Sequence, residues 1–170
     1  EAAARELATF REAGGGAVVE MTTVDYGRDA AALARLSERS GVDVIAATGF
    51  NKGRLADGIV ARHSDEQLAA WMVSEIRSGT LPYAPPETIS LAEPGGRESP
   101  ADAGRPRAGL IKASTGAGGP SEGERRGLQA AIAAHHATGA PIGTHTEKAD
   151  WALEQAQAFR EGGVPPDKVL

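Results

Sequence analysis

The chain has 170 residues, a net charge of −5, abundant Ala and Gly, and no cysteine. That length and composition describe about one globular domain. They argue against a general nucleic-acid surface, because no Lys/Arg run offsets the negative charge, and the absence of cysteine excludes disulfides and thiolate metal sites. No apolar run approaches the ~20 residues of a bilayer span and no signal peptide is visible, so the sequence predicts a soluble, cytoplasmic protein without membrane or nucleic-acid partners.

In chain order, the pattern predicts a helix from Glu1 to Ala13 with Leu7 and Phe10 on one face, ended by Gly14-Gly15-Gly16. A short apolar strand, Ala17 to Met21, leads into Thr22-Thr23-Val24-Asp25-Tyr26-Gly27-Arg28-Asp29. A helix follows to Arg39 with Leu33 and Leu36 inward, and then a second strand, Val42 to Thr48. Residues 49 to 63 read as one long loop, closed by a capping box at Ser64 and Gln67. The next helix sets Leu68, Trp71, Met72 and Ile76 on one stripe.

Leu81 to Pro106 carries six prolines, a density that suits a surface insertion better than a packed element. After it, Arg107 to Thr115 reads as a buried strand, apolar on both faces except at Lys112. A period of two puts Leu110, Lys112 and Ser114 on one face and Gly109, Ile111 and Ala113 on the other. A buried lysine has a depressed pKa, which makes the neutral amine available for a Schiff base or for carbamate formation with carbon dioxide. The competing reading is a lysine just past the strand end that reaches water.

Gly116 to Pro120 leads to a second capping box at Ser121 and Glu124, and to a helix ending at Gly139 with Leu128, Ala131, Ile132 and His135 inward. Ala140 to Thr146 is a further strand. The last helix has Leu153, Ala156 and Phe159 inward, and Lys168-Val169-Leu170 begins another strand. The chain opens inside a helical pattern and stops where a strand starts, so it reads as a fragment with two uncovered sheet edges and a tendency to aggregate alone.

Repeated strand-then-helix units with apolar strands predict an α/β fold with a parallel sheet covered by helices. No G-x-G-x-x-G follows a strand, and polar chemistry sits at several strand ends, which favours a partial TIM (β/α)8 barrel over an open dinucleotide-binding sheet. The whole chain, 1 to 170, is then a single incomplete barrel domain with a proline-rich insertion at 81 to 106. A barrel of eight strands takes ~250 residues, and about five are predicted here.

Lys112 and His145 fall at the C-terminal ends of consecutive strands, where both would face one barrel mouth. Other candidates are weaker. Phe50 opens the long third loop and could contact substrate or pack under that loop. Lys52, Arg54, Arg62 and His63 could attract an anion or simply be solvated. Gly116 to Pro120, ahead of a helix, could receive a phosphate. His135 and His136 read as packing and surface residues.

Ala108-Gly109-Leu110-Ile111-Lys112-Ala113-Ser114-Thr115 and Thr138-Gly139-Ala140-Pro141-Ile142-Gly143-Thr144-His145-Thr146 resemble the fourth and fifth barrel strands of the phosphotriesterase family, in the amidohydrolase superfamily. Val42 to Phe50 resembles the third strand, Gly27-Arg28-Asp29 the turn after the second, and Val164 to Val169 the approach to the sixth. The resemblance implies a binuclear hydrolase on a barrel of the metal-dependent hydrolase type. Its expected cofactors are two divalent ions, zinc first among them, and its expected substrate is a small lactone, carboxylic ester or phosphate triester.

By position, the resemblance makes Lys112 the carbamylated lysine that bridges both metals, His145 a ligand of one metal, and Phe50 a residue of the substrate pocket. A homodimer is compatible with it. The family's first-strand H-x-H pair, sixth-strand His and eighth-strand Asp have no counterpart in this chain, so the chain alone is expected to be inactive. The rival readings are a Schiff-base lyase of the aldolase type using Lys112 and a non-catalytic barrel relative used for binding.

Overall fold

The structure is a computed structural model, and it describes residues 2–85, 88, 89, 91 and 104–170. Helix α1 (Ala2–Glu12) precedes strand β1 (Ala17–Glu20), and a 3-10 turn (Val24–Tyr26) leads to α2 (Ala30–Ser40) and β2 (Asp43–Gly49). Two helices, α3 (Arg54–Val60) and α4 (Asp65–Arg77), come before β3 (Ala108–Thr115). Helix α5 (Glu122–Thr138), β4 (Ile142–Thr146), α6 (Ala149–Glu161) and a closing 3-10 turn (Pro166–Lys168) complete the chain.

The four strands form one sheet in the order β1-β2-β3-β4, every neighbour parallel. Leu170 N–H donates to the Ile142 carbonyl at 2.9 Å and Thr144 N–H to the Leu170 carbonyl at 2.8 Å, so the last residues add a further parallel pairing beside β4. This is the strand-helix alternation expected of a partial barrel. Among the described residues, no helix is long and apolar enough to cross a membrane.

Helix boundaries follow the local chemistry. The Asp29 side chain accepts from Ala32 N–H at 2.8 Å to start α2, and capping boxes at Ser64/Gln67 and Ser121/Glu124 start α4 and α5. Ile111, Ala113 and Ile142 pack on the helix side with Leu68, Trp71, Met72, Leu128 and Ile132. The opposite face is that of Leu110 and Gly143, where a Cβ on Gly143 would stand 2.9 Å from Leu110 and 2.7 Å from Met21. Lys112, two residues on from Leu110, and His145, two on from Gly143, belong to this inner face.

Three expectations are corrected. Residues 49 to 63 are not one loop, because α3 forms within them; Ala56, Ile59 and Val60 are buried on one side of a helix only seven residues long. Leu81 to Pro106 is not wholly a surface insertion: Ile89 and Leu91 are buried in the main core, and Thr80 N–H meets the Pro106 carbonyl at 2.9 Å to close the base of the segment. Residues 86, 87, 90 and 92–103 of it lie outside the described residues. In α6, Leu153 and Ala156 face outward and Gln155 and Phe159 inward. A buried glutamine is compatible with this because its amide is well used: Nε2 donates to Thr115 Oγ1 at 2.8 Å and to the His145 carbonyl at 3.0 Å.

One close approach fixes the sheet beneath the site. Gly49 has φ +92°, and a Cβ there would stand 2.2 Å from the Lys112 carbonyl oxygen. Gly49→Ala is expected to separate the ends of β2 and β3, and the left-handed backbone alone costs about 1–3 kcal/mol. A urea midpoint equal to wild type at unchanged m value would show that the two strand ends tolerate a methyl group.

Candidate functional site

Lys112 is buried, 8% exposed, in the last part of β3. Burial is the main reason its pKa lies below the ordinary lysine value; Lys52 adds to the fall, while Asp25 and Glu20 oppose it. Asp25, in the 3-10 turn after β1, is fully buried. Burial pushes its carboxyl up, opposed by the Thr23 side chain and by the Asn51 amide, which donates to both oxygens at 3.2 and 3.3 Å. That contact ties the start of the β2–α3 connection to the end of β1. The sequence contained Asp25 only as part of a motif; nothing in its periodicity marked it as a buried carboxylate near the lysine.

His145 lies in β4 directly across from Ser114 in the parallel register. Its pKa is lowered by desolvation and by the nearby cations Lys52 and Lys112, with Glu147 opposing. Its Nε2 is 3.3 Å from Lys52 Nζ. An ammonium can only donate, so Nε2 accepts and the proton belongs on Nδ1. Lys52 Nζ also pairs with Glu147 Oε1 at 2.6 Å, which raises the lysine and lowers the carboxylate.

The connections around the mouth are cross-linked. Glu124, besides closing its capping box, accepts from Gly53 N–H at 3.1 Å and Gly116 N–H at 3.2 Å, and so holds the loops after β2 and β3 together. Of the Gly116 to Pro120 turn, the Gly116 amide donates to Glu124, the Gly119 amide to the Gly116 carbonyl and the Ala117 amide to Glu147, so these donors are already engaged within the chain rather than free for a phosphate. Gln155 ties the ends of β3 and β4 in the same way.

The remaining candidates separate clearly. Phe50 is 4% exposed and packs on Trp71, ring centroids 5.0 Å apart, so it forms the floor under its own loop. Arg62 donates to the Gly58 and Ile89 carbonyls, and His63 Nδ1 lies 2.8 Å from the Ile59 carbonyl. Both are engaged away from Lys112. His135 is buried, with Nδ1 at 2.8 Å from the Ala140 carbonyl, and His136 is exposed, as the pattern predicts.

Among the described residues no group of three or more His, Cys, Asp or Glu side chains converges as a metal site. The donor set that is present nevertheless suits a divalent ion. His145 has a depressed pKa and an accepting Nε2, and Lys112 has an amine that burial pushes toward neutrality. Ser114 Oγ, buried two residues on from Lys112, makes no hydrogen bond among the described residues, which suits a polar ligand shell better than a closed apolar core.

The four parallel strands with their covering helices make a partial β/α barrel, with Lys112 and His145 on one face of consecutive strands. The model of the phosphotriesterase family matches residues 1–82 and 98–170, leaving a gap inside the proline-rich segment. The chain belongs to the phosphotriesterase family.

It is 31% identical over 175 residues to a phospho-furanose lactonase of Mycoplasmopsis synoviae, covering 99% of this chain and 46% of that protein. It is 31% identical over 172 residues to the human N-acetyltaurine hydrolase, covering 100% of this chain and 43% of that protein. Among solved structures, the Escherichia coli phosphotriesterase homology protein, with phosphate in its active site, superposes with a TM-score of 0.77 at 29% identity over 98% of this chain and 50% of its own. The chain therefore spans about half the length of the curated relatives it matches.

Proposed function

We propose that this chain supplies half of the catalytic barrel of a metal-dependent hydrolase acting on a lactone, ester or related acyl bond. The observation that carries the proposal is a lysine nine-tenths buried at the C-terminal end of a barrel strand, on the same inner face as the histidine of the next strand. The Lys112 amine, whose pKa burial lowers, would add to carbon dioxide and release one proton, and the resulting carbamate would offer anionic oxygen donors to a metal. His145 Nε2 would be a further ligand. Divalent ions held there, zinc first, supply Lewis-acid polarisation of the scissile oxygen and a water whose pKa falls from 15.7 to about 7.

The chain's own residues do the rest. Asp25 sets the electrostatic surroundings of Lys112, Gln155 holds the His145 main chain against β3, and Glu124 keeps the mouth loops closed on each other. Phe50 shapes the substrate pocket from below by supporting the Asn51–Lys52 segment. The family's further ligands would come from residues outside this chain.

The substrate class extends to compounds that carry an oxyanion. The names of two relatives, a phospho-furanose lactonase and an N-acetyltaurine hydrolase, describe a phosphate ester and a sulfonate, and phosphate lies in the active site of the E. coli protein.

The test is to express the chain with whatever residues flank it in its gene, load it with zinc and bicarbonate, and screen neutral and phosphorylated five-membered lactones, aryl esters and N-acyltaurines. Hydrolysis that is lost on chelation and returns with metal is expected. Full activity in chelator, with borohydride trapping a carbonyl substrate on Lys112, would replace the hydrolase with the Schiff-base reading.

A further inference from the structure

Lys52 occupies an unusual place for a loop lysine. Its ammonium is 3.3 Å from His145 Nε2 and 2.6 Å from Glu147 Oε1, so it bridges the loops after β2 and β4 above the site. The backbone beneath it is well fixed. Lys52 N–H donates to Asn51 Oδ1 at 3.0 Å, and Asn51 N–H donates to the buried Asp25 carboxylate. The side chain above that anchor is 24% exposed and its Glu147 partner 36% exposed.

An ion pair this open to water contributes little by itself, because solvent screens it and two long side chains must be ordered to make it. Glu147 also holds its place by main chain, its N–H donating to the Thr115 carbonyl at 3.3 Å. The geometry therefore presents a cation beside the proposed ligand nitrogen, whose single lone pair it would yield to a metal, and that cation is already charge-neutralised by the Glu147 carboxylate, which is held otherwise by the Ala117 backbone amide. A phosphate dianion brings more charge and three acceptor oxygens to the same ammonium, and a Lys–oxyanion hydrogen bond strengthens with the charge on the acceptor.

We infer that Lys52 is a specificity-determining residue whose ammonium receives the tetrahedral oxyanion of the substrate, phosphate or sulfonate, with Glu147 as the internal oxyanion that is displaced on binding. This rests on the hydrolase reading above and names the group within the substrate that the site selects. Two other basic residues of the same stretch, Arg62 and His63, do not act with Lys52, because both are bonded to main-chain carbonyls of their own neighbourhood. Exchange of Glu147 for the substrate oxyanion keeps the ammonium paired in both states, so binding does not require it to be stripped of its partner in the open mouth.

The experiment compares wild type with Lys52→Met, Lys52→Arg and Glu147→Gln, expressed with their native flanking residues. For each protein, kcat/KM is measured on a pentono-1,4-lactone and on its 5-phosphate, and on N-acetyltaurine. Lys52→Met is expected to lower the preference for the phosphorylated over the neutral lactone by about tenfold to a hundredfold, the range of one charge-assisted hydrogen bond. Lys52→Arg is expected to keep much of that preference. Glu147→Gln is expected to increase the preference, because the competing carboxylate is gone. If the loss with Lys52→Met falls on N-acetyltaurine and not on the phosphorylated lactone, sulfonate is the oxyanion received.

Equal loss on neutral and anionic substrates would mean a general role in shaping the mouth, and would overturn the assignment. A second measurement is independent of turnover: titration of the chelated, metal-free proteins with inorganic phosphate, followed by calorimetry or phosphorus NMR. Saturable binding weakened by Lys52→Met and strengthened by Glu147→Gln supports the inference even if no lactone is hydrolysed. Identical phosphate binding in wild type and Lys52→Met overturns it even if the hydrolase reading stands.

Discussion

In the protein expressed with its native flanking residues, Lys112→Met is expected to reduce lactone or ester hydrolysis by at least about a thousandfold, the effect of losing several kcal/mol of Lewis-acid stabilisation when the proposed metal ligand is removed. Metal content measured on the purified variant should fall in parallel. Carbon-13 bicarbonate should label wild type and leave the variant unlabelled. The loss should not come from unfolding. Methionine has similar length and no charge, and the native fold already disfavours the ammonium at this position, because burial lowers the Lys112 pKa.

The sign of the accompanying stability effect follows from linkage. Between the depressed native pKa and the ordinary lysine value of 10.5, the unfolded state binds more protons than the folded one, so the Lys112 contribution to stability rises with pH. The metal-free wild type should therefore gain on Lys112→Met as pH is raised through that window, in urea midpoints taken at constant ionic strength. A difference that stays constant with pH would show that the amine titrates normally, and would remove the basis for carbamate formation. Retention of activity in Lys112→Met at full metal occupancy would sink the metal-ligand role itself.

The second large effect lies underneath the site. Arg28 and Glu75 are both fully buried and form a two-point ion pair, Arg28 Nη1 donating to Glu75 Oε2 at 2.7 Å and Nη2 to Oε1. Thr48 Oγ1 donates to Glu75 Oε2 at 2.7 Å and Leu81 N–H to Oε1 at 2.8 Å, while Arg28 Nη1 also reaches the Ala47 carbonyl at 2.8 Å. The network joins the turn before α2, the end of β2, α4 and the start of the proline-rich segment. Glu75→Ala leaves a guanidinium buried without its carboxylate, and is expected to cost about 3–5 kcal/mol.

Replacing both partners, as Arg28→Met with Glu75→Leu, is expected to cost clearly less than the two single changes added together, because the desolvated charges disappear as a pair. Denaturant unfolding of the four proteins in a double-mutant cycle measures this. A loss below about 1 kcal/mol for Glu75→Ala would mean that the pair behaves like an exposed one. Since Thr48 is followed by Gly49 and Phe50, whose amide donates to the Lys112 carbonyl at 3.2 Å, loosening this network should also blunt the phosphate response at Lys52.

Much of this was readable in one dimension. Strand-helix alternation, two capping boxes and the glycine stops located most elements, and a lysine inside an otherwise apolar strand announced itself because a core position almost never holds an unpaired amine. Helix α3 was hidden because seven residues span too few turns to show a period. Ile89 and Leu91 were hidden because proline density outweighed two isolated apolar residues. The orientation of α6 was misjudged because hydrophobicity favoured Leu153 and Ala156, whereas hydrogen bonding to the ends of β3 and β4 turned Gln155 inward.

Local periodicity and short runs of residues read along the chain were enough for the class of fold, for the inner face shared by Lys112 and His145, and for the resemblance to the phosphotriesterase family. Contact between distant segments was needed for the pairings that give the site its electrostatic character: Asp25 with Asn51 near Lys112, Lys52 with His145 and Glu147, Glu124 across two loops, and Arg28 with Glu75. Each joins residues tens of positions apart or buries a charge that looks solvated on paper. A polar side chain's role depends on which other chain segment removes its water, and periodicity carries no record of that.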